Sequence, residues 1–136
     1  MSRNSKLVTV FFFVILALAA GGCGAVKSAQ AFNQTGNDFM TALKEAQYET
    51  GYALLIPELQ TEVGSAADLQ KMIEGNQAQP KEWTFSSWNL STDANKNNTA
   101  KVEGAVTYQD GRQGAVTLEL VKVGDAWKLM SFNLTW

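Results

Sequence analysis

Histidine is missing from all 136 residues. No imidazole can therefore serve as general base, metal ligand or switch near neutral pH. Cysteine occurs once, at Cys23, so no internal disulfide braces the fold and the core must hold it together. The carboxylates show no loop spacing like that of a calcium site, and no glycine-rich phosphate loop is present. The residues thus point to no metal and no cofactor. Internal repeats and low-complexity blocks are absent too. Long apolar runs are confined to the start of the chain.

That start sets the frame. Arg3 and Lys6 supply a positive segment, Leu7 to Ala20 is apolar apart from Thr9, and Ala19, Ala20, Gly21 and Gly22 lead into Cys23. Charge, apolar run and small residues in that order mark a secretory signal peptide. Ala20-Gly21-Gly22-Cys23 resembles the lipobox of bacterial lipoproteins, with Ala20 where that family usually has leucine. The resemblance implies a lipid on the Cys23 sulfur, cleavage before Cys23 and acylation of the new amino group. The alternative is an uncleaved helix, since Leu7 to Val26 is twenty residues and about twenty can span a bilayer. Glycines at 21, 22 and 24 weaken such a helix. Both readings place the remainder of the chain on the extracytoplasmic side of a bacterial membrane, in the cell envelope.

The organisation expected is a signal peptide over 1–22 and a single domain over 23–136. Removing 22 of 136 residues leaves 114, enough for one core. Arg3 and Lys6 go with the leader, so nine basic residues face thirteen acidic ones and the net charge is −4. That balance offers no footprint for nucleic acid or for anionic headgroups.

From Ala25 to Gln47 the apolar residues Val26, Ala29, Phe32, Phe39, Met40 and Leu43 recur at helical spacing, with Gly36 on the same face. The reading is one long helix, with a fray expected at Gln34–Asn37. Tyr48, Tyr52, Ala53 and Leu55 suggest a short helix ending before Pro57. Pro57–Val63 makes another, opened by proline and ended by Gly64. Ser65 is the expected cap of a fourth, with Asp68 in its first turn, an apolar face of Leu69, Met72 and Ile73, and Gly75 as the left-handed residue after its end.

Strand-like runs come next, at about Lys81–Ser91, Thr99–Tyr108, Arg112–Val123 and Ala126–Trp136. A two-residue Asp110-Gly111 turn would put Val102, Val106 and Tyr108 on the opposite side from Val116, Leu118 and Leu120. A three-residue loop, Gln109-Asp110-Gly111, unites them, pairs Val102 with Leu118, and sets Gly111 at a bulge position that favours glycine. Gly124-Asp125 fits a two-residue type II′ turn pairing Leu120 with Leu129. Apolar parity then switches to Phe132, Leu134 and Trp136, and a bulge near Met130–Ser131 restores it. The first run switches likewise, from Trp83 and Phe85 to Trp88 and Leu90.

The fold class is therefore α+β: N-terminal helices on a bent four-stranded antiparallel sheet. Phe39-Met40-Thr41-Ala42-Leu43 with Tyr48 and Tyr52-Ala53-Leu54-Leu55, and the hairpin Leu120 to Leu129 with its Gly-x-Trp-Lys-aliphatic pattern, resemble the cone-shaped nuclear-transport-factor-2-like and cystatin-like group. The resemblance implies a bent sheet wrapped on the helices. It also opens an enzymatic alternative, because the group includes ketosteroid isomerase and polyketide cyclases. Such chemistry needs a carboxylate base inside the cone facing an acid. Asp38, Glu49, Glu82 and Glu103 are the acids and Tyr48, Tyr52 and Tyr108 the phenols, none in a catalytic motif. No catalytic residue is assigned. Tyr48, Tyr52, Trp83, Phe85, Trp88 and Trp127 could line a pocket for a small apolar ligand, or simply pack in the core. The expectation is a lipoprotein anchored through Cys23 that acts as a non-catalytic binding or interaction module. Its partners would be a membrane and either a small apolar ligand or an envelope protein, with a dimer left open. The alternatives are an isomerase or cyclase, and a structural accessory subunit of an envelope complex.

Overall fold

The computed structural model describes residues 24–93 and 96–136. The leader 1–22 and Cys23 lie outside the described residues. The chain divides into Met1–Gln30 and a compact unit, Ala31–Trp136.

Helix α1 (Gly24–Lys44) carries the central apolar stripe. Phe32, Phe39, Met40 and Leu43 are fully buried, while Gln34, Asn37 and Asp38 face water. Burying each such apolar side chain stabilises the fold by roughly 1.5–3 kcal/mol. Gly36 lets the helix come down on the sheet: a Cβ there would lie 3.2 Å from Leu118 Cδ1 and 3.4 Å from the Phe85 ring. The expected fray at Gln34–Asn37 is absent. The helix is continuous, because the buried residues on either side clamp it to the sheet and Gln34 Nε2 donates to Asp38 Oδ1 at 2.9 Å across the polar face.

Three short helices come next: α2 (Tyr48–Ala53), α3 (Pro57–Val63) and α4 (Ala66–Gly75). Leu55 lies beyond α2 rather than in it. It forms a parallel bridge to Leu129, with Ile56 N–H donating to Leu129 O at 2.9 Å and Leu129 N–H to Leu54 O at 2.8 Å. Pro57 opens α3, and Ser65 caps α4 by accepting from Asp68 N–H at 3.1 Å. Leu69 and Ile73 are buried, but Met72, one position off that stripe, is 40% exposed.

The end of α4 corrects another expectation. Gly75 is the last helical residue, and the left-handed position falls two places later at Gln77, with φ +54°. Gln77 N–H reaches Glu74 O at 3.1 Å and Ala78 N–H reaches Ile73 O at 2.8 Å, the paired bonds of a Schellman motif. Helix α1 ends in the same way at Ala46, φ +57°, with Gln47 N–H on Ala42 O at 2.8 Å.

The sheet is a meander of β1 (Pro80–Asp93), β2 (Lys96–Tyr108), β3 (Gln113–Val123) and β4 (Ala126–Leu134), every pair antiparallel. The three-residue loop is present: Val102 pairs with Leu118, Tyr108 N–H donates to Arg112 O at 2.8 Å, and Gly111 has φ +91°. Leu120 pairs with Leu129 beyond a turn with Gly124 at φ +64°. Met130 is the extra residue of a bulge, since Glu119 pairs with Ser131 while Leu120 pairs with Leu129. Strand β4 stops at Leu134, short of the expected Trp136. In β1 the register slips at Ser86, so Trp83 and Phe85 share a face with Trp88 and Leu90.

Candidate functional site

The cone's interior is apolar among the described residues. Side chains of α1 meet Val102, Val106, Val116, Leu118, Leu120 and Leu129, and among the described residues no polar or charged side chain is buried with them. The six aromatics singled out from the sequence divide. Trp127 is buried edge-on to Phe32, with ring centroids 5.5 Å apart, and Trp88 leans on the same Phe32 at 5.4 Å while staying largely exposed. Phe85 packs half-buried under Gly36, and half-buried Trp83 donates Nε1–H to Asn37 Oδ1 at 2.8 Å. Tyr52 donates its hydroxyl to Gln60 O at 2.8 Å and Gly64 O at 3.1 Å, pinning α3 to α2.

Tyr48 is buried and donates to Glu74 Oε2 at 3.1 Å. Burial first, then the hydrogen bond and the charge of Glu74, push the phenol up to about 12. The carboxylates weighed from the sequence do not converge on it: Asp38, Glu49, Glu82 and Glu103 are all exposed.

Two openings lie together at the end of the domain where α4 stops and β2 turns into β3. The first is an apolar groove of about 160 Å³ between α4 and the end of β4, floored by Ile73, Ala78, Phe132 and Leu134 and walled by Met72 and Trp136, with Asn76 and Asn133 at its rim. The second is a polar cleft lined by Glu74, Gln77, Gln79, Gln109 and Asp110.

Arg112 stands between them. Its guanidinium pairs with Asp110 Oδ2 at 2.7 Å and donates Nη2–H to Gln77 O at 2.6 Å and Asn76 O at 3.2 Å. It lies 4.8 Å from the centre of the Trp136 ring and 5.5 Å from that of Tyr108. Its charge thereby meets the carbonyl end of α4, where the helix dipole favours a cation. Tyr108 is fully buried and donates to Thr135 O at 2.6 Å, which ties the last residues to β2. Burial raises the Tyr108 phenol, and the Arg112 charge partly offsets this. The Arg112 N–H bond to the Asp110 carboxylate, reinforced by the guanidinium, holds that carboxylate below 3.8.

Sequence reasoning missed this end of the molecule. Tyr108, Arg112 and Trp136 alternate as ordinary strand residues, and nothing in their spacing tells that α4 docks beside them. The one available signal was a cation set just beyond the β2 run, next to aromatics.

No protein-family model matches the chain, and no curated protein matches it either. Solved structures do. A protein of unknown function with a cystatin-like fold from Nostoc punctiforme aligns with a TM-score of 0.56 and 13% identity, over 78% of this chain and 88% of that one. A proposed NTF2-like transpeptidase from Campylobacter jejuni aligns at 0.53 and 13%, over 73% and 96%. Aln2 from a Streptomyces species aligns at 0.53 and 11%, over 83% and 91%. At such identities the likeness is one of fold alone, and that fold is the cystatin-like, NTF2-like arrangement of helices on a bent antiparallel sheet.

Proposed function

We propose that the chain is a lipoprotein of the cell envelope, anchored through Cys23 on the extracytoplasmic side of a bacterial membrane, whose cone domain is a non-catalytic binding or interaction module. The observation that carries the second half is the apolar interior of the described residues. General acid and base catalysis needs groups held within reach of a substrate atom with tuned pKa values. Here the inward positions of the sheet hold Val102, Val106, Val116, Leu118, Leu120 and Leu129 instead.

Room for a partner lies outside the core, in the groove between α4 and β4. At about 160 Å³ it is smaller than the roughly 300–1,000 Å³ usual for small-molecule pockets, while the adjoining cleft, at about 440 Å³, is large enough but lined by polar and charged side chains, which do not suit an apolar ligand. It suits one apolar side chain of an envelope protein better than an enclosed ligand, which supports an interaction module over a carrier. The accessory-subunit reading finds less support, because the outer sheet face offers Lys101, Glu103, Thr117 and Glu119 rather than an apolar surface.

The isomerase or cyclase reading draws on one contact, the Tyr48 hydroxyl on the Glu74 carboxylate beside the polar cleft. A phenol pushed up to about 12 stays protonated at neutral pH, so it can donate a hydrogen bond but is no base. Turnover of a ketosteroid or polyketide-like substrate, abolished by Glu74→Gln, would favour that reading.

Two measurements test the main one. Labelling with a fatty-acid analogue should mark the wild type and fail in Cys23→Ser; equal labelling ends the lipoprotein reading. Native purification from membranes should recover a protein partner that Trp136→Ala releases. A tightly held small molecule in place of a protein would overturn the choice of interaction over carriage.

A further inference from the structure

Trp88 and Leu90 face the core side of β1, yet Trp88 is 55% and Leu90 37% exposed. Strand β1 is an outer strand with no strand of this sheet beyond it, whereas the other outer strand, β4, has Leu54–Ile56 bonded along its edge at Leu129. The Trp88 ring touches Phe32, the residue next to the point where the chain enters the compact unit at Ala31.

Eight residue steps separate Cys23 from Ala31. Even fully extended they reach no further than roughly 28 Å. A lipid on Cys23 therefore keeps Ala31 within that reach of the bilayer, and Trp88 packs on Phe32 beside it. Of the other large exposed side chains, Val123 stands at the end of β3, while Met72 and Trp136 belong to the opposite end, where α1 finishes and Gln79 Nε2 donates to Lys44 O at 3.0 Å. From Ala31 to Lys44 the helix adds roughly 20 Å.

We propose that Trp88 and Leu90 seat in the headgroup interface of the bilayer that holds the anchor, so that the domain lies against the membrane along its β1 edge. The proposal rests on the lipoprotein reading. An indole suits this place, since its apolar body and its N–H are both satisfied where acyl chains meet hydrated headgroups. The exposed neighbours on the strand, Ser87, Asn89 and Ser91, are uncharged, so their approach to the lipid strips no ion of water. With a net charge of −4 after processing, the contact is apolar and gains nothing from anionic lipid. It should survive salt that screens surface charges.

The test uses the full-length protein purified from membranes and reconstituted in phosphatidylcholine vesicles with brominated acyl chains, which quench indole fluorescence at short range. Lipid on Cys23 is read separately by mass spectrometry of the N-terminal peptide, and folding of each variant by circular dichroism. Trp88→Phe should remove roughly half or more of the quenching and Trp136→Phe little, at low and high salt alike. A lipidated protein whose quenching ignores Trp88→Phe, or disappears in Trp136→Phe, overturns the interfacial seat and leaves the anchor standing. Cross-linking of two copies through the β1 edge, without quenching, would assign the patch to a second chain and likewise overturn it. Absence of lipid on Cys23 overturns the anchor and this proposal together.

Discussion

Moving one glycine two places should stabilise the domain. Gln77 holds φ +54°, a conformation that costs an L-residue roughly 1–2 kcal/mol. Glycine there escapes that cost but adds freedom to the unfolded chain, worth roughly 0.5–1 kcal/mol in the other direction. The net expectation for Gln77→Gly is a gain of about 0.5–1 kcal/mol. The carbonyl of residue 77 still receives Arg112, because that bond is to the backbone. Gly75, by contrast, sits in the helix, and a Cβ there would meet nothing within 4 Å. Gly75→Ala should add about 0.5–1 kcal/mol, from helix preference and from a stiffer unfolded chain. The double variant is therefore expected to gain about 1–2 kcal/mol, a rise in Tm of roughly 5–10 °C for a unit of this size. Urea unfolding of both single variants and the double would measure it. Because the sites are neighbours, the cycle also reads their coupling. Destabilisation by Gly75→Ala would refute the reasoning, since it would mean that the glycine holds the left-handed position and α4 ends earlier.

Arg112→Lys should cost about 1–2 kcal/mol in the same unfolding assay, because a lysine cannot keep the planar fork that serves Asp110, Gln77 and the Trp136 face at once. Full stability in the lysine variant would show that charge alone suffices. The Asp110 carboxylate has its pKa lowered in the folded state, so its contribution is complete above 3.8 and fades as pH falls below that value. Acid titration of wild type against Asp110→Asn should show a constant stability difference above 3.8 that shrinks as pH falls below it. The Tyr48 phenol has its pKa raised, so its contribution is complete below 10.0 and is lost as pH rises towards about 12. Tyr48→Phe should flatten the stability profile across that window, with ultraviolet phenolate titration as the check.

The helices and register were legible because each rests on local rules. Pro57 and Ser65 announce helix starts through chemistry that needs no tertiary partner. The β2–β3 register came from requiring two apolar faces to coincide, which is a statement about one sheet face and nothing else. Helix ends were less legible. Ala46 and Gln77 hold left-handed positions that the sequence marks with no glycine, because the packing of Leu43 and Ile73 decides where each helix must stop. The aromatics were hardest. Trp88 and Trp127 look alike in sequence, both touch Phe32 and both lie in outer strands, yet Trp88 stays exposed while Trp127 is covered. The bonding of Leu54–Ile56 to the β4 edge and the docking of α4 beside Arg112 set such positions apart, and both are long-range facts.

The parity switch in β1 leads to a sharper expectation. Ser86 is squeezed out of register between Phe85, which pairs with Gly104, and Ser87, which pairs with Glu103. Without that slip Trp88 and Leu90 would point away from the core and Phe32 would keep only Trp127 of its two aromatic neighbours. The slip in turn demands a bare backbone opposite. A Cβ on residue 104 would run into the Thr84 carbonyl and come within 2.8 Å of Phe85 Cα, both main-chain atoms that cannot swing aside. Glycine at 104 and the bulge at Ser86 are thus one device. Gly104→Ala must either push β1 off β2 or slide its register, at a cost of about 3 kcal/mol or more, beyond ordinary overpacking. A change confined to the surface would leave Trp fluorescence as it was. Here the emission should shift, because a slide in register moves Trp88 off Phe32 and Trp83 off Asn37. A Gly104→Ala protein with wild-type unfolding and unchanged emission would show that the bulge does not depend on the glycine.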